Sequence, residues 1–298
     1  MTLAIPKNFG LIGAAGYVAP RHMKAIVDTG NKLVAAMDPN DSVGIIDSYA
    51  PEAAFFTEFE RFDRHAEKLR RMGDEHRLHY VSICSPNYLH DAHCRFALRI
   101  GTDAICEKPL VLNPWNVDAL RALEEETGQR IWCVLQLRLH PAVIELKKKI
   151  DAEPPGKRHQ VELTYITPRG KWYDVSWKGD PAKSGGVATN IGIHFFDMLI
   201  WVFGDVQQST VLRDKPRSMQ GELVLEKADV AWHLSVDAAD LPDGHHGAFR
   251  SLALDGDPFD FSEGFGDLHT RVYEQAVRGE GFALSDVLPS ITLAQQLR

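Results

Sequence analysis

The chain has 298 residues, enough for two domains with sizeable cores. Apolar residues make up 44% and charged residues 25%, as in an ordinary globular enzyme, and the net charge of −8 comes without a basic patch, which argues against nucleic acid and anionic membranes as partners. No apolar run approaches the roughly 18 residues of a bilayer span, and residues 1–10 lack the charged and apolar regions of a secretion signal, so no membrane association and a cytoplasmic location are expected. Cys84, Cys94, Cys106 and Cys133 show no zinc-ligand spacing and read as reduced buried thiols. The pair His245-His246 reads as a polar hairpin tip, and no metal is expected.

Residues 9–13, 32–38, 79–85, 102–107 and 130–136 are apolar strand patterns, and helix patterns at 41–49, 88–100 and 116–127 fall between them. Apolar strands alternating with helices predict a parallel sheet covered on both faces, a doubly wound domain over residues 1–136. After Gln136 the pattern changes. Residues 140–150 form an amphipathic helix, then strand patterns at 159–167, 209–214, 221–227, 228–236 and 250–256 predict a largely antiparallel open sheet, with hairpin turns at "EKAD" and "DGDP". An apolar helix at 186–203 interrupts them, and helices at 264–278 and 285–297 close the chain. The fold class is therefore α/β followed by an α+β domain over residues 137–298.

The first strand runs into "GLIGAAGYVAPRH", a glycine-rich turn leading to a helix, where backbone N–H groups meet a pyrophosphate. Gly13, Ala14, Ala15, Gly16, Tyr17 and Val18 form this turn; Ala15 and Val18 stand where G-x-G-x-x-G has its later glycines. Asp38 ends the second strand, 25 residues after Gly13, placed to accept ribose hydroxyls and to repel a 2′-phosphate, which favours NAD over NADP; otherwise it caps the turn "DPND". Ser85, Pro86 and Asn87, with His90 one turn later, follow another strand end, where ligands of parallel sheets bind. In "TDAICEKPL" Glu107 and Lys108 end a further strand. Lys108 is either a residue for proton transfer at the nicotinamide or a surface lysine paired with Glu107.

In the second half, Gln136, Arg138 and His140 alternate on one face of a continuing strand. "PRGKWYDVSWKG" carries Arg169, Lys171, Trp172 and Tyr173, a basic aromatic loop suited to carboxylate or phosphate, and Arg138, Arg169 and Lys171 are the candidates to hold such an anion. "TNIGIHFFD" puts Asn190 and His194 four apart on one helical face and Asp197 within a turn; His194 is either a core histidine or a group titrating near neutrality. Asp267, His269 and Tyr273 open a late helix and are candidates to line a pocket.

"GLIGAAG", the acid after the second strand, "SPNYLH", "CEKPL" and "GGVATNIGIHFFD" occur in this order over nearly the whole chain, which resembles the Gfo/Idh/MocA family of NAD(P)-dependent sugar oxidoreductases. The resemblance implies that Lys108 lies beside the nicotinamide and that Lys108 and His194 are the catalytic pair; the asparagine at 190, where the family usually has an acid, puts a carboxylate relay there in doubt. "AAMDPNDSVGIIDSY", "LQLRLHP" and "PRGKWYDVSWKG" look closer to the branch that oxidises the C3 hydroxyl of UDP-N-acetylglucosaminuronate in O-antigen biosynthesis. That branch implies NAD as cofactor, a UDP-sugar as substrate contacted by Lys108, Gln136, Arg138, Arg169, Lys171, Trp172, Tyr173, Asn190 and His194, 2-oxoglutarate as a candidate reoxidant, and a homodimer or homotetramer. The apolar strands at 221–236 are expected to supply an intersubunit face. The alternatives are a dehydrogenase of a free sugar or inositol and a non-catalytic NAD-binding sensor.

Overall fold

The structure, a computed structural model, describes residues 5–261 and 264–298. The chain forms two compact units, each described by itself. The first begins with β1 (Asn8–Ile12), α1 (Ala19–Asp28), β2 (Lys32–Met37), β3 (Ala54–Phe56), α2 (Phe59–Arg71), β4 (Tyr80–Ile83), α3 (His90–Arg99), β5 (Asp103–Cys106), α4 (Pro114–Thr127) and β6 (Ile131–Cys133). The strands are parallel in the order β3-β2-β1-β4-β5-β6, the doubly wound arrangement, with its switch point between β1 and β4. Every residue of β1, β4 and β6 is buried, so their unbroken apolar runs match a sheet covered on both faces.

Three local expectations change. Residues 41–49 hold only a short 3₁₀ turn, Gly44–Ser48. The elements β3 and α2 escaped notice because β3 is three residues long and α2 buries only Phe62 and Ala66 under a charged surface. The strand expected to run to Gln136 stops at Cys133, and Gln136–Leu139 is a 3₁₀ turn. The physical reason is the end of the ladder: β5 finishes at Cys106, which accepts from Val134 N–H at 2.9 Å, and no strand remains to hold the next residues extended. Gln136, Arg138 and His140 therefore do not line one strand face.

The second unit contains α5 (Pro141–Asp151), β7 (His159–Ile166), α6 (Trp172–Val175), α7 (Pro181–Ser184), a π turn (Ala188–Gly192), α8 (Ile193–Phe203), β8 (Val206–Lys215), β9 (Ser218–Leu225), β10 (Ala228–Ser235), β11 (Phe249–Leu254) and β12 (Asp257–Pro258). Its sheet runs β12-β11-β7-β10-β9-β8; β7 and β10 pair in parallel and the other pairs are antiparallel. The apolar residues of β9 and β10, among them Leu223, Val230, Trp232 and Leu234, are buried with Phe195, Phe196 and Leu199 of α8. They fill this chain's own core, and residues alternating with them, such as Glu222 and Ala231, are exposed. Gly221 is required here: a Cβ would stand 2.4 Å from the Trp232 indole and 2.3 Å from Thr210 O. The helical stretch Pro181–Phe203 is long and apolar enough for a membrane span, and 78% of its apolar window is buried in the core.

After β12 come α9 (Leu268–Val277) and α10 (Leu284–Gln296). The first unit includes Trp115–Gln136, and Gly266–Asp286 returns to it after the second unit's strands. The return is driven by burial, since α9 hides Leu268, His269, Val272, Tyr273 and Ala276.

Candidate functional site

In the first unit the loop after β1 is drawn tightly onto the end of β4. Gly13 has φ 93°, and a Cβ there would lie 2.6 Å from the Cys84 carbonyl and Ser85 N. Gly13 and Ala14 donate N–H to Met37 O at 2.8 and 3.2 Å. Ala15 N–H donates to Asp38 Oδ2 at 3.0 Å, and Asn40 donates to Asp38 Oδ1 from its backbone at 2.8 Å and its side chain at 3.1 Å. Asp38 is buried and thus closes both the glycine loop and its own turn. Gly16 and Val18 are half-buried and Tyr17 is exposed. Val18 is the N-cap of α1 and gives no side-chain cap, so the helix N-terminus stays open to an anion, with Pro20 in its first turn. A glycine turn, an uncapped helix start and an acid at the end of β2 fit the pyrophosphate and ribose of a dinucleotide.

At the end of β4, Ser85 Oγ pairs with His93 Nδ1 at 2.8 Å, Pro86 is half-buried and Asn87 is buried. His90 is buried too, its Nδ1 facing Pro109 O at 2.7 Å and its Nε2 facing Ser85 O at 2.8 Å. Both ring nitrogens are therefore committed to the polypeptide. His90 thereby ties the loop after β4 to the backbone next to Lys108.

Glu107 does not pair with Lys108. Its Oε1 faces His22 Nε2 and His269 Nε2, each at 3.1 Å, and its Oε2 accepts Lys108 backbone N–H at 3.2 Å. His22 Nδ1 continues to Tyr273 OH at 2.7 Å, which meets Ser82 Oγ at 2.6 Å. Burial pushes the Glu107 carboxyl up, but the hydrogen bonds of the two histidines outweigh it and hold it well below the usual range. The half-buried Lys108 has no carboxylate within ion-pair reach of Nζ among the described residues, and burial lowers its pKa. The surface-pair reading of Lys108 is thereby replaced: its side chain stands at the carboxyl rim of the parallel sheet without an ion pair to Glu107. His269 and Tyr273, expected in a pocket, are buried in the first unit's core. Nothing local in the sequence points to their pairing, since His22 and His269 reach Glu107 across 85 and 162 residues.

In the second unit Arg138 is buried and donates to Asp197 through Nε at 2.9 Å and Nη2 at 2.8 Å. A protein carboxylate thus occupies the guanidinium that was a candidate for a substrate anion. The π turn carrying Asn190 inserts a register change before α8, so Asn190 and His194 do not follow simple α-helical spacing. Asn190 instead donates to Tyr173 OH at 3.1 Å. Tyr173 is buried, while Lys171 and Trp172 are exposed and Arg169 is half-buried. Arg217, missed in the sequence, ties this loop down by donating to Asp174 Oδ1 at 2.6 Å and to Arg169 O. His194 is half-buried, its ring 4.2 Å from that of Phe195 and 6.0 Å from that of Tyr165.

Residues 7–134 match the Gfo/Idh/MocA oxidoreductase family, NAD-binding Rossmann fold, and residues 147–241 match that family's C-terminal alpha/beta domain. The chain belongs to this family. Among the solved structures similar to this Gfo/Idh/MocA chain is the WlbA (WbpB) dehydrogenase from Thermus thermophilus, at 48% identity over 98% of this chain and 94% of that one. It was solved with NAD and alpha-ketoglutarate (TM-score 0.93) and with NAD and UDP-GlcNAcA (TM-score 0.92). The WlbA dehydrogenase from Bordetella pertussis shares the fold at 19% identity and a TM-score of 0.79. An inositol 2-dehydrogenase from Rhizobium meliloti (strain 1021) is 29% identical over 66% of this chain, and the matched stretch spans 55% of that relative's length.

Proposed function

We propose that this chain oxidises, with NAD, the C3 hydroxyl of a UDP-N-acetylhexosaminuronic acid to the 3-keto sugar. The observation that carries the substrate class is the 48% identity over 98% of the chain to the Thermus thermophilus dehydrogenase solved with NAD and UDP-GlcNAcA. Bound NAD supplies a reversible acceptor for the hydride that leaves the sugar carbon. The hydroxyl proton is assigned to Lys108 or His194. A lysine whose pKa burial has lowered is suited to accept it, and an imidazole titrates near neutrality. Gly13 to Val18 and Asp38 are assigned to the dinucleotide, with Ser85, Pro86 and Asn87 beside it. Arg169 and Lys171 are assigned to the uronate carboxylate or the pyrophosphate, and Gln136, Trp172, Tyr173 and Asn190 to the sugar. Arg138 is left out of the anion site, because Asp197 already takes its guanidinium.

A 2-oxo acid such as 2-oxoglutarate, which offers a ketone for the returning hydride and a carboxylate for the same basic residues, is proposed as reoxidant. The place of the reaction is nucleotide-sugar biosynthesis for O-antigen, in the cytoplasm, by a homodimer or homotetramer. The test is incubation with NAD and a panel of UDP-uronic acids. Mass spectrometry should find loss of two hydrogens from UDP-N-acetylglucosaminuronate, with 2-hydroxyglutarate appearing when 2-oxoglutarate is present. An unchanged UDP-sugar beside turnover of inositol would overturn the substrate assignment.

A further inference from the structure

The cluster around Glu107 spans α1, the end of β4, the end of β5 and α9, and nothing above gives it a task in the reaction. We propose that His22 and His269 are positioning residues that hold the Glu107 carboxylate turned away from the Lys108 ammonium, so that this ammonium stays without a carboxylate partner. The inference rests on the assignment of Lys108 to proton transfer.

Glu107 and Lys108 are neighbours in sequence at a site where water is thin, and a loose carboxylate there would be drawn to the ammonium. It is not loose, because Oε1 takes both histidine Nε2 atoms and Oε2 takes the Lys108 backbone N–H. The proton directions close without any charge on the imidazoles. Ser82 O–H donates to Tyr273 OH, Tyr273 O–H donates to His22 Nδ1, and His22 Nε2–H donates to Glu107. Burial lowers the pKa of His22, in keeping with a neutral ring whose tautomer Tyr273 selects. The groups facing Lys108 are Glu107 beside it, Arg21 on α1, Cys133 on β6 and His90 on α3. Glu107 is the one carboxylate in this set, so its direction decides how strongly the ammonium is held in its charged form. The histidines and Glu107 would also suit a divalent cation by composition, but the hydrogen bonds already account for all three groups.

The test measures the amine directly. Full-length protein is acylated with limiting acetic anhydride across a pH series, and modification of Lys108 is quantified by peptide mass spectrometry against N-acetyl-lysinamide in the same tube. Wild-type Lys108 should titrate below the standard. His22→Ala should raise its midpoint by a unit or more, and His269→Leu should move it the same way, which keeps the test open if one variant fails to fold. Adding Glu107→Gln to His22→Ala should abolish the rise, because no carboxylate is left to swing. The acid limb of the kcat/KM profile should move with the midpoint, about a tenfold loss per unit below the limb. An unmoved midpoint in both single variants, or a rise that survives Glu107→Gln, overturns the proposal. So does one equivalent of divalent metal retained by wild type and lost in the variants. The labelling does not depend on which sugar is oxidised, so failure of the substrate assignment leaves this result readable.

Discussion

Asp38 accepts one hydrogen bond from the glycine loop, from Ala15 N–H, and two from Asn40 in its own turn, so its replacement acts on the loop as well as on the ribose contact assigned to it. Asp38→Ala should raise the KM for NAD by more than tenfold and the KM for NADP by much less, since the substitution removes both a ribose acceptor and a repulsion of the 2′-phosphate. Steady-state kinetics with the two cofactors checks this; wild-type protein that already uses both equally would refute the assignment. Lys108→Ala and His194→Ala should each lower kcat about 10²–10⁴-fold while NAD binding by calorimetry stays within about threefold. At this scale the sequence was informative. The residue types at 13, 38 and 108 indicated where the loop turns and where the strands end, because a tight turn needs glycine and a lysine at a strand end needs a reason. It could not show that Glu107 faces His22 and His269, since those contacts depend on how helices pack and not on any local spacing.

The helix α3 carries two histidines that the fold keeps neutral. Burial, helped by the nearby His90, pushes His93 down to about 4 from 6.5, and burial lowers His90 as well. The unfolded chain takes up protons near 6.5 and the folded one resists, so stability present above 6.5 is lost as the pH falls from 6.5 towards about 4. Urea midpoints measured at pH 7.5, 6 and 5 should fall in that order, and His93→Asn should flatten the lower part of the series. Asp197 of α8 makes a buried pair with Arg138 of the Gln136–Leu139 turn, so Arg138→Ala, which deprives Asp197 of that guanidinium, should cost about 3–5 kcal/mol in chemical denaturation. If it instead cost little and weakened UDP-sugar binding, Arg138 would return to the anion site. Strands of the first unit were legible because a parallel sheet buries both faces and leaves long apolar runs. The end of β6 and the π turn before α8 were not legible, because the first depends on where a neighbouring strand stops and the second on local register.

For the whole molecule, the return of Gly266–Asp286 means that residues 1–136 are not a self-sufficient domain. A fragment of residues 1–136 should lose cooperative thermal unfolding, since it lacks Leu268, Val272 and Tyr273, which are almost fully buried. Circular dichroism checks this, and a sharp transition near that of the full chain would show that α9 is dispensable. The sequence by itself determined the two-part architecture, the parallel and mainly antiparallel sheets, the dinucleotide loop and the lysine at the rim, because periodicity, turn chemistry and the cost of burying charge are all local properties. Only the tertiary structure decided which unit α9 joins, that Arg138 is tied to Asp197, that the apolar strands of the second sheet serve their own core, and that Glu107 is held by two histidines. Those outcomes rest on contacts between residues far apart in the chain, where the partner is chosen by shape and burial once the layers pack.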